Sequence, residues 1–212
     1  MGTINKGILG GFSGKVGNVI GGNWKGIDYM RSQGTRRNFT PSDKQLAQQL
    51  KFALVMGFLQ PMAGLLNITF RDFAIKMTGM NNAFAYCIKN AVTGVYPTFA
   101  VDYSLVLVSR GDLPNALAPA VTSGAGSLVT FSWTDNSGVG IAKATDQAVL
   151  VAYSPALKQA VYTTAGGMRS ELTGELNLAT FSGLSVETYI GFIAADGRNI
   201  ASSIYTGNIT VS

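Results

Sequence analysis

The sequence predicts an α+β protein: a Gly-rich β-strand arm and short helices over residues 1–95, then an antiparallel β-sandwich over 96–212. Three observations predict it. Residues 7–31, GILGGFSGKVGNVIGGNWKGIDYMR, interleave eight glycines with Ile8, Leu9, Phe12, Val16, Val19, Ile20, Trp24, Ile27 and Tyr29. From Thr40 to Val92, apolar residues recur at helical spacing between start and stop residues. From Tyr96 onward the pattern becomes short apolar or alternating segments separated by clusters of Gly, Asp, Asn and Ser.

The arm comes first. A flexible Gly/Ser linker would lack its apolar content, and each glycine inside a helix costs about 0.8–1 kcal/mol relative to Ala. Extended chain with tight turns remains, and glycine inside a strand marks a bulge or the close approach of another backbone. Turns are expected at Phe12-Ser13-Gly14-Lys15 and at Gly21-Gly22-Asn23, giving two or three short strands. Asp28 to Arg31 alternates as a strand does, and Ser32 to Asn38 forms a polar loop. The apolar side chains of the arm need cover, from the rest of the chain or from a neighbouring copy. The residues expected at such an interface are Phe12, Gly14, Val16, Gly17, Val19, Ile20, Trp24 and Tyr29, with Trp24 the best anchor and Gly14 and Gly17 serving turn geometry or close approach.

Thr40-Pro41-Ser42-Asp43 opens the first helix: Thr40 as N-cap, Pro41 at the first turn, and an acid where it favours the dipole. Leu46, Leu50, Ala53, Leu54, Gly57 and Phe58 follow at helical spacing, and Gln60-Pro61 ends or kinks the run. A second helix is expected over 61–78, stopped by Gly79. A third is expected over 83–92, capped by Asn81 or Asn82 and closed by Gly94.

Seven strand segments then follow: 102–108, 128–133, 148–153, 160–164, 171–178, 188–194 and 200–206. So many short strands at near-regular spacing argue for a sandwich. Trp133 closes the second, and Leu184 precedes Tyr189 at the start of the sixth. Over about residues 100–212 this layout resembles the fibronectin type III and immunoglobulin-like class, fibronectin-like rather than antibody-like because there is no cysteine pair. The resemblance implies adhesion, scaffolding or binding. The domain boundary is expected at Tyr96-Pro97, with a second break at Pro114 to Pro119.

Composition narrows the function. Apolar residues make up 47% and charged residues 13% of the 212, where about 25% charged is usual. A surface this poor in charge favours association. Residues 1–90 carry eleven Lys and Arg against three Asp; residues 91–212 carry five against eight acids. Such a split sets head-to-tail contact between copies or, alternatively, binds nucleic acid; the basic residues are singly spaced apart from Arg36-Arg37, which favours the former. The N-terminus lacks the continuous apolar run of a secretory signal. No uninterrupted apolar run reaches the roughly 18 residues of a spanning helix, so no transmembrane segment is expected.

Catalytic chemistry finds little footing. With no histidine and one cysteine, Cys87, imidazole-based catalysis and Cys/His metal sites are excluded, and no disulfide closes within the chain. Gly14-Lys15 lacks the rest of a phosphate loop. Asp135 with Asp146, or Glu171 with Glu175, are the only acid pairs of note, and chance explains them; Arg110-Gly111-Asp112 reads as a turn. Tyr103, Trp133, Tyr153, Tyr162, Tyr189 and Tyr205 read as core first, and otherwise as a sugar-binding face. No catalytic, cofactor-binding or metal-binding residues are assigned.

The strings GFSGKVGNVIGGNWKGIDYMRS, PSDKQLAQQLKFALVMGFLQP and NAVTGVYPTFAVDYSLVLVSRGDLP are similar to those of a family of uncharacterised proteins from Bacteroidota genomes. That resemblance implies a bacterial or phage source and carries no functional residues. The expectation is a non-enzymatic structural protein that self-assembles through its arm into a filament, tube or shell, at a cell surface or in a virion. A glycan- or surface-protein-binding sandwich module is the alternative, followed by a virion protein that contacts nucleic acid.

Overall fold

The computed structural model describes residues 2–4, 7, 10–34, 40–73 and 76–212. Ile8, Leu9, Ala74 and the loop residues 35–38, all named above, lie outside the described residues. The chain divides into two compact units, Met1–Ser42 and Asp43–Ser212. The division falls before the helices, not at Tyr96.

The first unit is a meander of β1 (Thr3–Ile4), β2 (Phe12–Val16), β3 (Val19–Trp24) and β4 (Ile27–Ser32), hydrogen-bonded in that order. Its turns are not where the glycine clusters suggested. Val16 pairs with Val19 and Trp24 with Ile27, so the loops are the two residues Gly17-Asn18 and Lys25-Gly26. Lys25 and Gly26 both have positive φ, the signature of a type I′ hairpin turn, and Gly17 supplies the positive φ of the other turn. The expected turn glycines, Gly14, Gly21 and Gly22, lie inside the ladder instead.

The second unit begins with α1 (Asp43–Leu59), a 3-10 turn at Gln60–Met62, α2 (Ala63–Thr69), a 3-10 turn at Arg71–Phe73, and α3 (Gly79–Asn90). The second helix is shorter than expected. The Thr69 hydroxyl at its end lies 2.8 Å from the Val108 carbonyl oxygen, tying the helix end to later chain. Gly79 starts α3 rather than ending α2, and Thr78, not an asparagine, caps it, accepting from the Asn81 N–H at 3.1 Å. A Cβ at Gly79 would overlap the Leu66 carbonyl, so the glycine serves close packing of α3 on α2. By length and composition the run Asp43–Thr69 would suffice to cross a membrane. In this fold the run breaks at Pro61, and Val55, Phe58, Leu59, Met62, Leu65 and Leu66 lie in the core.

Gly94 and Tyr96-Pro97 turn out to belong to a hairpin, β5 (Val92–Val95) with β6 (Thr98–Val101), and not to a helix stop and a domain boundary. The expected strand 102–108 is a 3-10 turn at Tyr103–Leu105 followed by irregular chain, whose Val106 and Val108 are buried. The first strand of the sandwich is instead β7 (Leu117–Ser123), where a break was expected. Pro119 is accommodated because β7 is an edge strand with a register shift between Leu117 and Ala120.

β8 (Leu128–Thr134), β9 (Gln147–Ser154), β10 (Gln159–Thr163), β11 (Thr173–Asn177), β12 (Ser185–Ile193) and β13 (Ile204–Thr210) complete two antiparallel sheets, β10-β9-β12-β13 and β11-β8-β7. One core lies between the sheets and includes Val129, Phe131, Trp133, Leu150, Ile190 and Phe192. The other face of the four-stranded sheet, with Val149, Val151, Tyr153 and Tyr189, packs on the helices. β9 and β12 are therefore covered on both faces. Helices, sheet and sheet form three layers, which is why the helices belong with the sandwich.

Candidate assembly surface

The register of the arm sorts its side chains onto two faces, because successive residues of a strand point to opposite sides. Gly14 pairs with Gly21 and Val16 with Val19, while Gly21 pairs with Met30 and Ile4 with Phe12. One face therefore presents Ile4, Phe12, Gly14, Val16, Val19, Gly21, Asp28 and Met30. The opposite face presents Lys15, Ile20, Gly22, Trp24, Ile27, Tyr29 and Arg31. Of the expected interface residues, Phe12, Gly14, Val16 and Val19 lie on the first face, Ile20, Trp24 and Tyr29 on the second, and Gly17 in a turn.

Neither face has a core of its own. Among the described residues of Met1–Ser42, no side chain is buried; only the backbone position Gly21 is. Met30 is 73% exposed, Val16 54%, Trp24 54% and Tyr29 47%. What order the faces have comes from aromatic rings laid over glycines. A Cβ on Gly21 would come within 2.7 Å of the Phe12 ring, and one on Gly22 within 2.9 Å of the Tyr29 ring. Gly10, Gly11, Phe12, Asp28, Tyr29 and Met30 line a groove of about 320 Å³. Asn23 fastens the far hairpin, donating to Asp28 at 2.6 Å and accepting from the Gly26 N–H at 3.1 Å.

Charge concentrates in the same unit. Residues 1–42 contain six Lys and Arg and one Asp, and residues 43–212 contain ten cations and ten acids. The arm thus carries the entire net charge of +5. Met30, Ile27 and Ile4 were missed as surface residues, although the alternation IDYMRS already placed Met30 opposite Tyr29.

The candidate chemical groups of the sandwich are engaged in structure. Asp146 pairs with Arg169, both buried: Arg169 Nη2 lies 3.2 Å from Asp146 Oδ2 and its guanidinium 3.9 Å from the Phe192 ring centroid. Arg169 Nη1 also donates to Asn136 at 2.5 Å. Asp135 is held below its ordinary pKa by the Ser137 hydroxyl and N–H in a surface turn. Glu171 lies in a 3-10 turn, accepting from the Met168 N–H at 2.6 Å, rather than sharing a strand face with Glu175. Arg110 stacks on Phe73, and Gly111 packs against Ile200, so this tripeptide is part of the packing. Trp133, Tyr153 and Tyr189 are core; Trp133 donates to the Arg169 carbonyl at 2.8 Å, and the Tyr189 hydroxyl donates to the Tyr103 carbonyl at 2.9 Å. Glu187 accepts from the Tyr205 hydroxyl and from Asn208; burial, and then the Glu187 carboxylate, raise the Tyr205 pKa. Among the described residues, no three His, Cys, Asp or Glu side chains gather where a metal could bind.

A three-layer body built on a β-sandwich, and a strand arm whose apolar side chains are exposed, define a structural class rather than a particular activity. Residues 11–207 match the model of the family described as "Family of unknown function (DUF6266)", and the chain belongs to that family. No curated protein matches it. A solved structure, the fn3 domain of human collagen alpha-1(XX) chain, is similar over 49% of this chain and 90% of its own, at 12% identity and a TM-score of 0.33.

Proposed function

We propose that this is a non-enzymatic structural protein that self-assembles through its N-terminal sheet, the arm of one copy being covered by neighbouring copies in a filament, tube or shell. The observation that carries the reading is the coreless arm: a four-stranded sheet with apolar side chains exposed on both faces. Such a sheet gains stability only when something packs on it, since burial of apolar surface contributes about 25 cal/mol per Å². The low overall charge supports the same reading. A cell surface or a virion suits such an assembly.

The alternative of a sugar-binding sandwich is less well supported, because Trp133, Tyr153 and Tyr189 are spent in the core. The test is particle size, by light scattering and negative-stain microscopy, for the full chain and for a chain lacking residues 1–34. Regular particles that vanish with the arm are the expected result. Monodisperse monomers in both cases would overturn the reading.

A further inference from the structure

We infer that the outer edge of β4 is a homotypic strand-pairing site, which joins two copies across a two-fold axis through Met30. The inference rests on the self-assembly reading and names the contact that starts it. β4 is the last strand of its sheet, all six of its residues are exposed, and among the described residues no strand pairs with its outer side. An edge of unpaired N–H and C=O groups is a template for another strand.

The phase of the ladder fixes which groups are free. Trp24 and Ile27 flank a two-residue loop, and the Gln33 N–H donates inward to the Asn18 carbonyl at 2.7 Å. Residues 27, 29, 31 and 33 therefore turn their backbone groups to β3. Asp28, Met30 and Ser32 turn theirs outward, because these directions alternate along an antiparallel strand.

The sequence of β4 also suits a second copy of itself. Two antiparallel β4 strands related by a two-fold axis normal to the sheet keep their faces in common, so opposed residues share a face. Centred on Met30, the pairing opposes Asp28 with Ser32 of the second copy, a carboxylate with a hydroxyl donor. It opposes Tyr29 with Arg31 of the second copy, a ring with a guanidinium. All the outward backbone groups from 28 to 32 are then paired. Centred on Arg31, the same pairing would set two guanidinium groups against each other. Centred on Tyr29, it would leave Asp28 facing a methionine. The result is an eight-stranded sheet with both apolar faces continuous across the axis, ready for further contacts.

The inference is tested with the full chain by Met30→Pro and by spin labels. The phase of the ladder turns the Met30 N–H away from β3, so proline at 30 takes no β3–β4 hydrogen bond and removes a donor that faces the second copy. The expected outcome is a loss of dimer affinity of about tenfold or more, with arm hydrogen exchange at residues 12–24 unchanged. For a measurement that does not depend on proline, nitroxides are placed at Met30→Cys, Asp28→Cys and Ser32→Cys in a Cys87→Ala background. The distance between copies is expected to be shortest at 30 and to lengthen equally at 28 and 32. Like-charged arms also predict that added salt tightens the pair. Particles that form regardless of Met30→Pro, with long label distances at 30, would overturn the edge pairing and leave self-assembly standing, as would loosening by salt. A full chain that stays monomeric at every concentration would overturn both.

Discussion

The ring of Phe12 lies against Gly21 on the next strand, where a Cβ would come within 2.7 Å of the ring and overlap the Phe12 carbonyl. The carbonyl is backbone and has no rotamer to move. Gly21→Ala therefore has to displace β2 from β3, at a cost of about 1–3 kcal/mol. Gly22 faces the Tyr29 ring instead, which a rotamer change can move aside. Amide hydrogen exchange over residues 12–32 is expected to accelerate in Gly21→Ala and to stay near the parent rate in Gly22→Ala. Equal effects would show that the arm is held by its turns and not by this packing.

In the sandwich, the Asp146–Arg169 pair is wholly buried, and its Asp146 Oδ1 has no hydrogen-bond partner. Burial opposes the charge on Arg169, and Asp146 sustains it. Asp146→Asn leaves that cation uncompensated, and removing one partner of a buried pair costs about 3–5 kcal/mol. Urea denaturation is expected to show a loss of that size. A loss of under about 1 kcal/mol would mean that water reaches the guanidinium.

Burial pushes the Cys87 thiol from its ordinary 9.0 up to about 12, and Tyr153 from 10.0 up to about 12. Both groups have raised folded-state values. Their contribution is whole below the unfolded pKa and is lost as pH rises through the interval above it. From pH 9.0 the thiol titrates in the unfolded chain, and Tyr103, Tyr153, Tyr189 and Tyr205, all raised by burial, join it increasingly towards 10.0, so stability falls over this range with each fully ionised group adding up to about 1.4 kcal/mol per pH unit. Denaturation midpoints measured from pH 8 to 11 are expected to fall less steeply in Cys87→Ala than in the parent, with the largest difference near pH 9, and to keep the tyrosine-driven fall at higher pH; identical slopes would show that the thiol is not desolvated.

The residues that announced this fold in the sequence are those whose local preference and tertiary surroundings agree. LVTFSW alternates, and β8 is found there with alternate residues buried. AVLVAY runs apolar without alternating, and the structure supplies the reason: β9 is covered on one face by the second sheet and on the other by the helices, which a simple two-layer sandwich did not anticipate. The errors arose where one residue type serves two purposes. Gly14, Gly21 and Gly22 read as turns but lie in the ladder, where Gly21 makes room for Phe12 and Gly22 for Tyr29, while Gly17 and Gly26 do turn the chain. Pro119 read as a break but sits on an edge strand. The apolar residues of the arm were legible as a surface in need of cover. Their division between two faces was not, because it depends on a register set by loops that the glycine count disguised.

That division yields a last prediction. Trp24 and Val16 are equally exposed but lie on opposite faces of the arm. Both side chains are more than half exposed, so Trp24→Ala and Val16→Ala are expected to leave thermal unfolding of Asp43–Ser212 within about 0.5 kcal/mol of the parent. Assembly should respond differently. Truncating a large aromatic anchor at a protein interface costs about 2 kcal/mol or more, and truncating a valine costs less. The concentration at which particles form is expected to rise at least about tenfold for Trp24→Ala and only a few-fold for Val16→Ala. An effect of both variants means that neighbours cover both faces and the arm is sandwiched. An effect of Trp24→Ala alone means a ribbon with one wet face, in which Phe12, Val16 and Met30 stay exposed to solvent. An effect of neither would place the assembly contact away from the faces altogether.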